Sequence, residues 1–228
     1  MSPDQQAVIF DWNGTLLADT WLGLESMNKS LALAGAPPAT LSRYRNEYFM
    51  PLRPMYMRLG CDAKKLEENL QQIFDAFGEH YEKHVHKTNL RRGAKGLLKT
   101  LKEEGRRAAI LSNHTVEIIS SQTQRLDIHH YFDAVLANGA DEIKDIMHKA
   151  DKGKRLKRYV DHHDIRKALV VGDSAEEVEI AHAYGFLGVG LAGGFSCEEK
   201  ILAAKPDFMI RSLTELPPIV ASVFGQRA

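Results

Sequence analysis

Cysteine is scarce: Cys61 and Cys197 are the two among 228 residues. They lie far apart and lack metal-type spacing, so neither a disulfide framework nor a zinc site is indicated, and both read as packing residues. Neither charge sign is in excess, because 30 Lys and Arg balance 30 Asp and Glu. The overall charge therefore points to no nucleic acid and no anionic membrane surface, and partner choice has to be argued locally. No run of about eighteen consecutive apolar residues occurs, and residues 1 to 6 lack a basic region followed by a long apolar stretch. No membrane segment and no secretory leader are expected, and the chain reads as cytoplasmic. Internal repeats and low-complexity segments are missing as well. A hydrophobic content of 44% remains, enough for a full core in one sizeable domain, or in one domain carrying a smaller insertion.

Short apolar runs recur with helical stretches between them: Ala7 to Phe10, Ala108 to Leu111, Ala134 to Leu136, Ala168 to Val171, Leu187 to Leu191 and Phe208 to Ile210. The alternation predicts an α/β fold, a Rossmann-like parallel sheet sandwiched by crossover helices. The first and fourth runs are nearly all apolar, as strands covered on both faces should be, and each ends abruptly in an acid, Asp11 or Asp173. Open α/β sheets bind ligands at such strand ends. Between the first two runs lies a long stretch with no strand signal, far more than a crossover needs. It reads as an inserted helical cap. Leu24, Met27, Leu31 and Ala34 recur at helical spacing there, as do Leu66, Leu70, Ile73, Phe77, Tyr81 and Val85, which predicts two long amphipathic helices. Gly35 and Pro37 end the first, Tyr48 to Gly60 reads as shorter helical pieces, and a helix through Leu97, Leu98 and Leu101 stops at Gly105.

Four segments, each at an expected strand end or helix start, carry chemistry. Phe10-Asp11-Trp12-Asn13-Gly14-Thr15-Leu16 sets a carboxylate able to attack phosphorus beside a glycine that permits a tight turn and amides that can receive phosphoryl oxygens. Ile110-Leu111-Ser112-Asn113-His114-Thr115 offers a hydroxyl and an amide where a helix is expected to begin. Val170-Val171-Gly172-Asp173-Ser174 supplies a second acid, as magnesium, a cation that prefers carboxylate oxygens and retained waters, requires. Asp151-Lys152-Gly153-Lys154 places lysines at a helix start, within a cation-rich stretch from Lys144 to Lys167 that otherwise reads as a solvated face.

In chain order the segments resemble the motifs of the haloacid dehalogenase superfamily, whose members are mostly magnesium-dependent phosphatases. The later Gly185-Phe186-Leu187-Gly188-Val189-Gly190, Gly193-Gly194, Lys205-Pro206-Asp207 and Ser212-Leu213-Thr214-Glu215-Leu216 resemble the usual ending of capped members, so the likeness spans nearly the whole chain. Cap position and helical content look most like phosphoglycolate phosphatase and beta-phosphoglucomutase relatives. The resemblance implies a core of residues 1–18 and 89–228, with residues 19–88 as the cap. It implies that Asp11 is the nucleophile, that Ser112 and Lys152 hold the phosphoryl group, and that Asp11, the Asn13 carbonyl, Asp173 and Glu177 surround Mg2+. Lys154 is the alternative to Lys152. Trp12, Asn113, His114 and Arg53 are the expected substrate contacts, and the expected partner is a small phosphorylated metabolite: phosphoglycolate-like, a sugar phosphate or a nucleotide.

One position departs from the pattern. The residue two after the nucleophile is normally an Asp that protonates the leaving alkoxide and then activates water, and here it is Asn13. An amide cannot shuttle a proton, and losing a general acid and base is worth roughly 10²- to 10⁴-fold in rate. Three outcomes stand open. His114 or Glu177 replaces the missing acid; the substrate has a good leaving group or is a phosphonate, although the cap lysine of phosphonate-cleaving relatives has no convincing equivalent beyond Lys29; or the protein binds phosphorylated ligands without turning them over. His80, His84 and His86 read as one solvated helix face rather than a metal site. Arg53, Tyr56 and Arg58 sit in a Pro-flanked loop that either reaches substrate anions or packs in the cap, while Met50, Met55 and Met57 read as cap core.

Overall fold

The computed structural model describes residues 5–225, side chains included except at 141–144. Residues 1–4 and 226–228, which the core range includes, lie outside the described residues, as does the side chain of Lys144. In chain order the elements are β1 (Gln6–Phe10), α1 (Thr20–Leu33), α2 (Leu41–Glu47), α3 (Leu52–Arg58), α4 (Ala63–Glu68), α5 (Leu70–His84), α6 (Ala94–Glu103), β2 (Arg107–Thr115) and α7 (Val116–Arg125). There follow β3 (Ala134–Asn138), α8 (Lys152–His162), β4 (Lys167–Gly172), α9 (Ala175–Ala183), β5 (Leu187–Leu191), α10 (Glu198–Ala203), β6 (Phe208–Ile210) and α11 (Leu216–Phe224).

The six strands form one parallel sheet in the order β3-β2-β1-β4-β5-β6. β1 pairs with β2 on one side and β4 on the other, Phe10 lying opposite both Ile110 and Val171. The direction of winding reverses at β1, so the ends of β1, β2 and β4 open a crevice together. Side chains alternate across the sheet. Val8, Phe10, Ile110 and Val171 pack against α6 and α11, whereas Ala7, Ile9, Leu111 and Val170 pack on the face that holds Leu156 and Val160 of α8. Burial on both faces leaves these strands no room for polar residues until they reach the crevice.

The helices between β1 and β2 share a second cluster of Met27, Leu31, Tyr44, Met55, Leu59, Leu66 and Ile73, joined by Phe195 from the loop after β5. Each such buried side chain contributes about 1.5–3 kcal/mol. The second expected long helix is two: the backbone of Asn69 leaves helical geometry at φ −110° and ψ 17°, and its side-chain amide donates to the carbonyl of Lys65, separating α4 from α5. The residues around Arg53 form helix α3 rather than a loop. β2 is longer than its apolar run, because polar Ser112 to Thr115 continue it past a register shift. Helix α7 therefore starts three residues after Asn113 and not at it. No helix among the described residues is long and apolar enough to cross a membrane.

Candidate active site

Asp11 follows the last residue of β1 and is buried, its amide donating to the carbonyl of Val171 at 2.8 Å. The chain then turns back on itself, Leu16 and Leu17 donating to the carbonyl of Trp12 at 3.0 and 2.9 Å. Gly14 makes the turn at φ +76°, where a Cβ would also stand 2.3 Å from Asp173 Oδ2. Arg91 steadies this loop by donating to the carbonyls of Gly14 and Ala192 at 2.6 and 2.8 Å. Trp12 is not brought to the substrate side: it is fully buried and its Nε1 donates to Gln122 Oε1 at 2.8 Å, because an indole at this position completes the core beneath the sheet.

Lys152, the first residue of α8, is buried and donates through Nζ to Asp11 Oδ1 at 2.6 Å and to Glu177 Oε1. Glu176 Oε2 stands 3.7 Å away. Burial opposes the lysine's charge, but Asp11, then Glu177 and Glu176, overcome it and hold the ammonium above its usual range. Asp11 is pushed the other way: burial raises it well above the carboxylate range, Lys152 opposes, and Glu177 and Asp173 add to the rise. Lys154, two residues further on, is exposed and pairs with Asp151 at 2.5 Å.

Glu177 is engaged on both oxygens within the chain. One oxygen receives Lys152, and the other receives the amide and hydroxyl of Ser174 at 3.2 and 2.7 Å in a capping box that starts α9. Gly172 is required beneath it, since a Cβ there would lie 2.0 Å from Glu177 Cγ. With both oxygens engaged, Glu177 positions the lysine. Glu176 accepts from Asn113 Nδ2 at 2.8 Å, and burial raises its carboxyl to about 7. Glu176 stands in the first turn of α9, and nothing local in the sequence signals its buried role.

Ser112 is buried, and its hydroxyl accepts from the His114 amide at 3.1 Å. Arg155 holds this segment by donating to the Ser112 carbonyl at 2.9 Å and to Asn138 Oδ1 at 2.6 Å. His114 Nδ1 accepts from the Thr115 amide at 2.9 Å, and desolvation pulls the imidazole down to about 4. At neutral pH it is an uncharged ring beside Tyr81, centroids 5.3 Å apart, unsuited to supply the proton that Asn13 cannot.

The Asn13 side chain is held by a group that sequence reasoning did not single out. Its Nδ2 donates to Asp19 Oδ2 at 2.7 Å and to Tyr81 Oη at 2.9 Å, while Tyr81 Oη donates to Asp19 Oδ2 at 2.7 Å and the Gly14 amide to Asp19 Oδ1 at 2.8 Å. Asp19 is fully buried, and burial raises it to about 6 against the pull of these bonds from Asn13, Tyr81 and Gly14. Tyr81 carried only a helical-periodicity signal, which does not distinguish packing from a hydrogen bond into the site.

Asp173 accepts from Thr15 Oγ1 at 2.7 Å and from the Phe195 amide. Burial, then Glu177, raises its carboxyl. A Cβ on Gly194 would meet Asp173 Oδ2 at 1.9 Å, so the Gly193-Gly194 pair lets the backbone close over this acid. Among the described residues no three His, Cys, Asp or Glu side chains converge as a metal set. Yet Asp11, Asp173, Glu176 and Glu177 interact electrostatically around a single lysine. Two carboxylates in such an excess of negative charge suit a hard cation that keeps several of its waters.

Above Asn13 a cavity of about 580 Å³ opens between the sheet ends and the helices inserted after β1, reaching Asn113, His114 and Tyr56. Arg53 does not line it. It pairs with Glu67 at 3.0 Å on the outer side of α3, where the helix rather than a loop points it away. Arg58 pairs with Glu47 at 3.8 Å and covers the Phe49 ring. Lys29 is exposed on α1. His80 meets Ser26 Oγ at 3.1 Å and His84 the His80 carbonyl at 2.8 Å.

A family profile described as haloacid dehalogenase-like hydrolase matches residues 8–190. The phosphoglycolate phosphatase of Vibrio vulnificus (strain YJ016) is 26% identical over 221 residues, covering 93% of this chain and 95% of that protein. That of Synechococcus elongatus is 25% identical over 223 residues, covering 97% of this chain and 100% of that protein. The haloacid dehalogenase-like hydrolase SP0104 of Streptococcus pneumoniae superposes with a TM-score of 0.78 at 18% identity over 96% of this chain and 99% of its own. CbbY of Rhodobacter sphaeroides, crystallised in complex with phosphate, superposes with a TM-score of 0.71 at 20% identity over 92% of this chain and 96% of its own. These two likenesses concern the fold.

Proposed function

Because the chain belongs to the haloacid dehalogenase-like hydrolase family, we propose that it is a magnesium-dependent phosphatase that cleaves a small phosphorylated metabolite in the cytoplasm through an aspartyl phosphate on Asp11. The observation that carries this reading is the 2.6 Å contact between Lys152 Nζ and Asp11 Oδ1 in a buried crevice. An ammonium there neutralises both an incoming phosphoryl group and the carboxylate that attacks it. The names of the relatives, phosphoglycolate phosphatases among them, support the reaction class.

In this reading Asp11 attacks phosphorus, Lys152 and the Ser112 hydroxyl hold the phosphoryl oxygens, and Glu177 keeps the lysine in place through its contact and its own anchor on Ser174. Asp11, Asp173 and the Asn13 carbonyl are the groups that would hold Mg2+, which when bound supplies Lewis-acid stabilisation of the phosphoryl charge. Asn113 and His114 face the departing group from the cavity wall. The core comprises residues 1–18 and 89–228 and the cap residues 19–88, a division supported by the hydrogen bond from the Ala18 amide to the Asn89 carbonyl at 2.8 Å, where the two connections meet.

A second reading, slow turnover or ligand binding without turnover, is favoured by the way the Asn13 amide is spent on Asp19 and Tyr81. Both readings are tested by a panel of phosphomonoesters with an Asp11→Asn control. Magnesium-dependent phosphate release that the control lacks is the expected result; release no greater than the control on every substrate removes the phosphatase reading.

A further inference from the structure

The cavity beside Asn13 restricts what can be attached to the phosphoryl group. Its wall is built from rings: Tyr44, Tyr48 and Phe195 meet with centroids 5.5–6.2 Å apart, and Phe77 stacks on Tyr81 at 5.9 Å and 11°. Phe74 adds another ring, and Met27, Met50 and Leu52 complete the apolar lining. The described lining residues include no Lys and no Arg, and their charged members are acids: Asp19 inside, with Asp75, Glu79, Glu82 and Glu117 exposed. Lys152 is committed to Asp11 and Glu177 and is not a lining residue.

We infer that the site takes an aryl phosphomonoester, a substrate whose leaving group is a ring bearing no second anion, rather than a short carboxylate-bearing alkyl phosphate. This inference rests on the phosphatase reading and names its substrate class. A carboxylate entering the cavity loses its water against rings and methionines, finds no Lys or Arg among the described lining residues, and faces acids of its own sign. A volume of about 580 Å³ falls within the roughly 300–1,000 Å³ of pockets that enclose ring-bearing ligands, far larger than a two-carbon acid fills. Offset and edge-on ring contacts add about 0.5–1.5 kcal/mol per pair beyond area burial, so an aromatic group is the natural occupant.

The reaction chemistry leads to the same class independently. Asn13 cannot protonate a leaving oxygen, and its amide is fixed by Asp19 and Tyr81. A phenol ionises near about 10, as tyrosine does, whereas an aliphatic alkoxide is roughly as basic as hydroxide, water ionising near about 15.7. When Asp11 forms its bond to phosphorus, the phosphorus–oxygen bond to the ring breaks, and its electron pair leaves on a phenolate oxygen that takes a proton from water afterwards. Water then adds to the phosphorus of the aspartyl phosphate, returning the Asp11 carboxylate, inorganic phosphate and a proton.

The test compares phenyl phosphate, benzyl phosphate and phosphoglycolate on the wild-type chain with magnesium. Benzyl phosphate carries the ring on an aliphatic oxygen and so separates fit from leaving-group chemistry. Phenyl phosphate is expected to exceed phosphoglycolate in kcat/KM at least about tenfold, and benzyl phosphate to share its low KM while reacting more slowly. Phe77→Leu is expected to raise KM for both ring substrates and leave that for phosphoglycolate unchanged. Calorimetry on the Asp11→Asn variant reads binding without turnover, phenyl phosphate binding more tightly. Phosphoglycolate equal to or better than phenyl phosphate in kcat/KM, or in binding to Asp11→Asn, overturns the inference while the phosphatase reading stands. Absence of turnover on every substrate, with phenyl phosphate still preferred in binding, removes the phosphatase reading and leaves the ligand class in place.

Discussion

Tyr81 Oη donates to Asp19 Oδ2 over 2.7 Å, tying the 15-residue cap helix α5 to the residue that precedes the first cap helix. The same hydroxyl accepts from Asn13, so one cap side chain is bonded at once to the nucleophile loop and to its buried acid. Tyr81→Phe removes both bonds without changing the packing of the ring. Leaving Asp19 and Asn13 short of a partner is expected to cost about 1–3 kcal/mol, read as a lower urea midpoint with an unchanged slope.

Lys152→Met places an apolar chain between Asp11 and Glu177 and strands two buried carboxylates. Breaking a buried pair from one side costs about 3–5 kcal/mol. Turnover is expected to vanish, and the stability loss to be larger at pH 8 than at pH 5, because the raised Asp11 carboxyl takes up a proton as the pH falls. Equal losses at both pH values in denaturant titrations contradict the assignment.

Asn13→Asp restores an acid to the nucleophile loop. For alkyl phosphates, whose leaving oxygen needs a proton, kcat/KM, which reports the step that forms the aspartyl phosphate, is expected to rise about 10²- to 10⁴-fold, and for phenyl phosphate much less. An unchanged alkyl rate would mean that another group already carries the proton.

Gly194→Ala puts a methyl group where 1.9 Å separates its position from Asp173 Oδ2. Either the backbone opens or Asp173 moves, at a cost of about 1–3 kcal/mol. The concentration of magnesium needed for half-maximal activity is expected to rise; Gly193→Ala is a poorer probe because its φ of +86° adds backbone strain.

His114 titrates at about 4 in the folded chain because it is desolvated, against about 6.5 when unfolded. The unfolded chain therefore binds more protons between these values. The His114 contribution to stability is complete above pH 6.5 and is lost as the pH drops towards 4, by an amount on the order of 1–3 kcal/mol for this partly buried ring. His114→Gln is expected to flatten that part of the stability–pH curve.

The apolar runs ending in Asp11 and Asp173, the order of the four chemistry-bearing segments, and the helical insert were all legible in the sequence. Each is a local pattern: a strand covered on both faces must be apolar until it reaches the crevice, and a turn there must have its glycine. The sequence also carried the substitution at Asn13, though not its consequence. The resemblance already preferred Lys152 to Lys154, but tertiary structure alone set its ammonium on Asp11, turned Trp12 and Arg53 away from the site, and gave Glu177 to the lysine. It also brought Asp19 and Tyr81 to Asn13 and lined the cavity with rings. The Asn13–Tyr81 bond joins residues 68 positions apart and the Lys152–Asp11 bond residues 141 apart. Periodicity states which face of an element is apolar, whereas such a partner is fixed only when separate elements pack against one another and a polar group caught between them has to be satisfied.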